Sequence, residues 1–356
     1  MLGLDPRAAK ATWTVVVVLL ALALVYLARN TLFVFTLAIF FAYMLAPVVH
    51  FIDCRLSGGR LPRGAVLALT YLLLVAVLAG IGFLVGSVVS DQAANLAENL
   101  PKLVQQRDPL QSIWLPHWLE PLRARILEAI RAQLGTWDSH AFPILRKAVT
   151  ELLTHVEIVL FLVLIPILGF FFLKEGKRLK DAVLVWTSEG SARLKFDEIL
   201  ADVHVLLGSY IRALVLLASA TFVAYSVVLA LLGAGYAVLL ALVAAMLEFI
   251  PVIGPLTASV VIVLVAGFTG SGHLVLIIVF LLVYRMFQDY VLSPYLMGSG
   301  VELHPLLVLF GVLAGEQIGG IPGMFLSVPV IATLRVVYVR IQRGSRQREL
   351  ESEPVQ

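Results

Sequence analysis

Two acids in the last third of the chain stand where a carboxylate is hard to keep. Glu248 opens Glu248-Phe249-Ile250-Pro251-Val252-Ile253-Gly254-Pro255, and Glu316 opens Glu316-Gln317-Ile318-Gly319-Gly320-Ile321-Pro322-Gly323. Each stretch lies between apolar runs and combines proline with glycine, which removes backbone donors and interrupts a helix. Such a break is tolerated at membrane depth only where protein or a water-filled cavity covers it. A carboxylate there can cap the freed backbone groups, or, desolvated, can take up and release a proton near neutral pH, the usual chemistry of proton coupling. The residues alone leave both readings open.

The stretches share an acid, two isoleucines and helix breakers at matching offsets. Transporters use internal repeats of this kind to hold substrate and coupling ions at the ends of discontinuous helices. The competing reading is coincidence, because glycine and proline are common in membrane helices. Arg285 and Asp289, four apart, form either an ion pair on one helix face or charges in the pathway. Gln288 and Gln317 can hydrogen-bond a polar solute or satisfy open carbonyls. His304, ahead of Pro305, is biased away from helix and reads as an interfacial turn residue. The candidate pathway comprises Glu248, Pro251, Gly254, Pro255, Arg285, Gln288, Asp289, Glu316, Gln317, Gly319, Gly320, Pro322 and Gly323.

The elements that must position these residues are membrane helices. The 356 residues are 60% hydrophobic and 14% charged, with a mean hydropathy of +0.98, which excludes an ordinary water-soluble domain. Several runs reach the roughly 20 apolar residues needed to span a bilayer, and no alternating pattern of about ten residues indicates a barrel. The fold class is all-α: a polytopic helical membrane protein with about six full spans, two broken or re-entrant helical hairpins and a helical soluble insert. The net charge of +3 is small and its basic residues flank spans, so no nucleic-acid partner is expected. A lone Cys54 gives neither a disulfide nor a cysteine metal site, and no cofactor is expected. The chain has no phosphate-binding Gly-Lys-Ser/Thr loop, nucleophile elbow or His-Glu-x-x-His pair. A non-enzymatic, gradient-driven permease fits these absences, as do a channel and a scaffold.

Residues 1–88 read as three helices. The first is expected to be retained rather than cleaved as a signal, because a second apolar run starts at Leu32 directly after Arg29-Asn30-Thr31. Arg7, Lys10, Arg55, Arg60 and Arg63 place the N-terminus and the second loop in the cytoplasm. Residues 89–150 change to mixed charge and form the insert, expected outside the cytoplasm. Its Leu119, Leu122, Ile126, Ile130 and Leu134 make an apolar stripe for the membrane domain or a neighbouring subunit, and Trp114 and Trp118 suit an interface. Residues 151–173 cross back with Pro166 and Gly169 as kink residues. Lys174, Lys177, Arg178 and Lys180 mark 174–205 as cytoplasmic, with Arg193 and Asp197 as a solvated pair. Residues 206–341 form the transport core, in which apolar arms of 11 or 12 residues would reach only about 18 Å, so the breaks are expected to be hairpins. Residues 342–356 read as a disordered cytoplasmic tail.

Five motifs carry a family resemblance. Tyr210-Ile211-Arg212, Ile250-Pro251-Val252-Ile253-Gly254-Pro255, Gln288-Asp289-Tyr290-Val291-Leu292-Ser293-Pro294, His304-Pro305 and Gly320-Ile321-Pro322-Gly323-Met324-Phe325-Leu326-Ser327-Val328-Pro329 resemble, in order and spacing, the bacterial autoinducer-2 exporter family, also described as PerM-like permeases. The resemblance implies a multi-pass inner-membrane permease exporting a small polar solute such as autoinducer-2. Some relatives are credited instead with exchange of sodium or lithium for protons, so the solute is either small and polar or a monovalent cation with a proton. A homo-oligomer in the lipid bilayer fits the resemblance. The sequence departs from the family pattern at Ala213-Leu214, where a Gly-Gln pair is common, and at Glu316, a variable position, which points to a difference in substrate.

Overall fold

A computed structural model describes residues 6–57, 62–106, 128, 156–185, 191–297 and 303–352. The apolar stripe at 119–134, Trp114 and Trp118 lie outside the described residues. The described regular structure is entirely helical: α1 (Pro6–Leu27), α2 (Arg29–Ile52), α3 (Arg63–Gln106), α4 (Val156–Val185), α5 (Ser191–Leu231), α6 (Ala237–Leu247), α7 (Ile253–Phe268), α8 (Leu274–Phe287), α9 (Ser293–Met297) and α10 (Pro305–Ser352), with π-helical turns at Asp53–Ser57 and Gln288–Leu292. Among the described residues, five helices are long and apolar enough to cross a membrane. The chain is an all-α polytopic membrane protein.

The 41-residue α5 is the axis of the bundle, packing against α2, α6 and α10. The contact with α6 is built from small side chains: Ala237, Ala241, Ala244 and Ala245 are buried, and residues of this size let helix backbones approach closely where water supplies no driving force. Two helical hairpins hang on α5. In the first, α6 and α7 run antiparallel. A β-carbon on Gly235 would touch the Thr269 side chain at 3.4 Å at one end, and one on Gly254 would meet the Leu247 carbonyl at the other. The side chain of Gln92 on α3 accepts a hydrogen bond from Leu239 N at 2.9 Å, satisfying a donor in the first turn of α6.

The second hairpin lies within α10. Gly319 (φ −143°) and Gly320 (φ 61°, ψ −145°) leave helical geometry, and Gly320 adopts a backbone conformation open to glycine. Beyond them the chain returns along itself. Gly315 faces Gly323, where a β-carbon would lie 2.3 Å from the Gly323 carbonyl oxygen, and Gly311 faces Ser327 and Ile331. The spacing Gly311-x3-Gly315-x3-Gly319 aligns these glycines on one face of the first arm.

Several observations add to the sequence expectations. Helix α3 continues unbroken through residue 88, where the soluble insert was expected to begin, and extends to Gln106. Hydropathy reports what surrounds a helix, and a change from lipid to polar surroundings does not end one. Helix α10 likewise continues to Ser352, past residue 342, where disorder was expected. Asp197 pairs with Lys180 of α4 at 2.6 Å, so α5 is tied to a neighbouring helix. Arg340 joins α10 to Asp202 and Glu198 of α5 at 2.6 and 3.0 Å. Gly169 is a close-approach residue whose added β-carbon would lie 2.8 Å from the Phe41 ring.

The second hairpin yields a test. Gly315→Leu forces its arms apart against backbone, and is expected to lower stability by about 1–3 kcal/mol. Thermal unfolding in detergent should show this loss, with Gly80→Leu at wild-type stability because nothing lies within 4 Å of that position.

Candidate functional site

Glu248 ends α6, with its N–H donating to the Ala244 carbonyl at 3.0 Å. The chain then turns within five residues, and each special residue type has a backbone reason. Val252 has φ 65° and ψ −59°, and Ile253 N donates to Pro251 O at 2.7 Å, which closes a three-residue γ-turn. A β-branched residue held at positive φ stores about 1–3 kcal/mol of strain. Gly254 sits where a β-carbon would be 1.8 Å from the Leu247 carbonyl oxygen. Pro255 falls in the first turn of α7, where a missing N–H removes no helical hydrogen bond.

The Glu248 side chain is buried, and groups from two other helices meet it. Gln288 Nε2 donates to Glu248 Oε1 at 2.5 Å, and Thr221 Oγ1 of α5 donates to Oε2 at 3.4 Å. Arg285 Nη1 lies 3.8 Å from Glu248 Oε1, while Arg285 Nε donates to Asp289 Oδ2 at 2.9 Å. Tyr284 extends the set through a hydroxyl contact with Thr221 at 3.2 Å. Gln288 opens the π-helical turn Gln288–Leu292, and such single-turn widenings of a helix recur at functional sites.

Of these groups, Glu248, Arg285, Gln288 and Asp289 border a cavity of about 220 Å³. Its walls include Glu248, Pro251, Val252 and Pro255 from the first hairpin, Arg285, Gln288 and Asp289 from α8 and its π turn, Tyr210, Leu214 and Leu217 from α5, and Val308 and Val328 from the two arms of the second hairpin. With both carboxylates ionised, Glu248, Asp289 and Arg285 together carry one net negative charge, which a single proton or monovalent cation neutralises. Among the described residues no three of His, Cys, Asp and Glu gather as metal ligands.

The structure therefore brings together Glu248, Pro251, Pro255, Arg285, Gln288 and Asp289, with Gly254 packed behind the turn. It does not bring the second break to them. Glu316, Gln317, Gly320 and Pro322 are exposed, Gly319 lies beside the Phe33 ring, and Gly323 packs on Gly315. The second hairpin meets the cavity at Val308 and Val328, and its tip lies about 12–16 Å further along its arms. His304 is a turn residue whose Nδ1 accepts from Leu306 N at 3.2 Å. Sequence reading passed over Thr221 and Tyr284. Each is a hydroxyl among apolar neighbours, and the available signal was that such a group buried in a membrane helix needs a polar partner.

The AI-2E family transporter profile matches residues 15–343. This chain belongs to the AI-2E transporter family. Among its relatives, the Bacillus subtilis "Putative transport protein YueF" is 26% identical over 95% of each chain, and "Putative transport protein YrrI" of the same organism is 27% identical over 89% of each. A relative from Halobacillus andaensis named "Sodium-lithium/proton antiporter" is 23% identical, covering 82% of this chain and 84% of its own. The protein is thus a multi-pass membrane transporter by family, and of its polar cluster Gln288 and Asp289 fall within a motif that carried the resemblance, with Glu248 two residues ahead of another.

In this AI-2E transporter, Gln288→Leu leaves Glu248 without its nearest donor and is expected to destabilise the fold by about 1–3 kcal/mol. Adding Glu248→Leu should recover part of that loss. A double-mutant cycle followed by unfolding in detergent then gives a coupling of about 0.5–3 kcal/mol, and additivity would show that the contact is not formed.

Proposed function

We propose that this AI-2E transporter is a secondary transporter of a bacterial inner membrane, exporting a small polar solute such as autoinducer-2 against an ion that binds and leaves at Glu248. The observation that carries this reading is the buried Glu248, held by Gln288 and Thr221 at the edge of a cavity of about 220 Å³. That volume lies below the roughly 300–1,000 Å³ usual for drug-sized ligands, which favours a small solute. Hydrogen bonding to the solute falls to Gln288, Ser293 and the carboxylates on the same wall. The basic clusters at 174–180 and 340–348 support cytoplasmic placement of both termini, and the exposed apolar faces suit lipid and a second copy of the chain.

A second reading, sodium or lithium exchange for protons, is favoured by the single net negative charge of the Glu248, Asp289 and Arg285 set, and by the name of the Halobacillus relative. An antiporter must bind cation and proton competitively, commonly at one carboxylate, whereas an exporter binds its solute beside it.

Purified protein in liposomes, with sodium, proton and autoinducer-2 fluxes recorded for wild type, Glu248→Gln and Glu316→Gln, separates the readings. Glu248→Gln is expected to lower coupled flux by at least about tenfold, and Glu316→Gln to leave it at the wild-type rate. Sodium-dependent proton movement lost in Glu248→Gln, without autoinducer-2 flux, would assign the antiporter. Wild-type flux in Glu248→Gln would remove the coupling role, and absence of all three fluxes in the wild type would favour a non-transporting scaffold.

A further inference from the structure

The side-chain amide of Gln288 has two polar ends, and one of them is committed. Its Nε2 donates to Glu248 Oε1 at 2.5 Å, and the residue is buried. Among the described residues, the Gln288 Oε1 has no hydrogen-bond partner. Gln288 also lines the cavity of about 220 Å³, so the uncommitted end that it can offer a solute there is an acceptor. The other oxygen of Glu248 is held differently. Thr221 Oγ1 donates to Oε2 at 3.4 Å and contacts the Tyr284 hydroxyl at 3.2 Å, and neither Thr221 nor Tyr284 is part of the cavity wall.

A proton on Glu248 changes what these partners can do. An ionised carboxylate only accepts, so the amide must turn Nε2 toward it. A carboxyl protonated on Oε1 must itself donate, and two hydrogens cannot share a contact of 2.5 Å. The acceptor at hand is the Gln288 Oε1, brought round by a half-turn of the amide, and this terminal torsion has a broad, roughly two-fold preference that allows both orientations. Protonation on Oε2 would instead turn Thr221 toward Tyr284 and leave a buried phenol hydrogen without its described acceptor, which is unfavourable. The other ionisable groups around Glu248 and the cavity are Arg285 and Asp289, paired with each other at 2.9 Å, and the phenols of Tyr210 and Tyr225 on α5.

We infer that Gln288 turns its amide when Glu248 takes up a proton, so that the cavity wall presents a carbonyl oxygen while Glu248 is ionised and an NH2 group once it is protonated. The first state attracts the positive end of a solute, a hydroxyl hydrogen or a monovalent cation. The second repels it. Proton and solute then exclude one another through one side chain, and Gln288 is the residue that converts the charge of Glu248 into a choice of solute. The inference rests on the reading of Glu248 as the coupling group.

The test uses the full chain, made by cell-free synthesis with glutamine carrying carbon-13 at Cδ, reconstituted in liposomes and followed by infrared difference spectra as pH is changed. A glutamine C=O feature that moves with the label is expected to titrate together with the protonated-carboxyl band of Glu248, and to vanish with it in Glu248→Gln. Gln288→Asn keeps an amide at the site without the label, so the labelled feature should vanish there too, whereas Gln92→Asn should retain it. Sodium in place of choline, or added autoinducer-2, should lower the pH midpoint of both features by about one unit for the solute that is transported, a change of roughly tenfold in proton affinity. A carboxyl band titrating without a labelled glutamine feature, or with one that persists in Gln288→Asn, would overturn the turning amide and leave the coupling role of Glu248 standing. Absence of the carboxyl band from the wild type would remove that role and the turning amide with it. A midpoint indifferent to both solutes would overturn the mutual exclusion.

Discussion

A carboxylate inside an apolar helix bundle persists only with polar partners, because removing an ion from water is unfavourable by several kcal/mol after relaxation. Glu248 sets that requirement here, and the helices around it meet it. The γ-turn after it ends α6 where the side chain faces α5 and α8. Helix α5 supplies Thr221, and α8 with its π turn supplies Arg285 and Gln288, so one side chain ties three helices. At the far end of the hairpin, Gln92 on α3 fixes the start of α6. The acid is held from both ends of its own helix.

The two hairpins solve different problems. The first places polar groups at its turn and tolerates a strained Val252 to do so. The second is closed by glycine faces meeting at Gly315 and Gly323, and it presents Val308 and Val328 to the cavity. Its returning arm is clamped to the start of α5 by Arg340 with Asp202 and Glu198. Movement of that arm against α5 would reshape the cavity wall without breaking the hydrogen bonds of Glu248.

The break at 248–255 was legible because two prolines and a glycine fall within five residues, a density of breakers that a continuous helix does not hold. Arg285, Gln288 and Asp289 were legible because charged and amide groups in an apolar run need partners, though spacing could not show that Glu248 was among them. The likeness between the two breaks did not translate into proximity: the matching offsets describe two local turns, whereas their placement depends on how far each hairpin extends. Thr221 was hidden because a serine or threonine hydroxyl in a membrane helix can bond to its own backbone, as Ser219 does to Val215. The glycine register at 311, 315 and 319 was present in the chain, and it indicated a packing face rather than chemistry.

The claim that Glu248 gains and loses the coupling proton can be read on the carboxyl group itself. Infrared difference spectra of the wild type, recorded on changing pH in the reconstituted protein, are predicted to contain a protonated-carboxyl C=O band that is absent from Glu248→Gln and unchanged in Glu316→Gln. The same band persisting in Glu248→Gln would contradict the account.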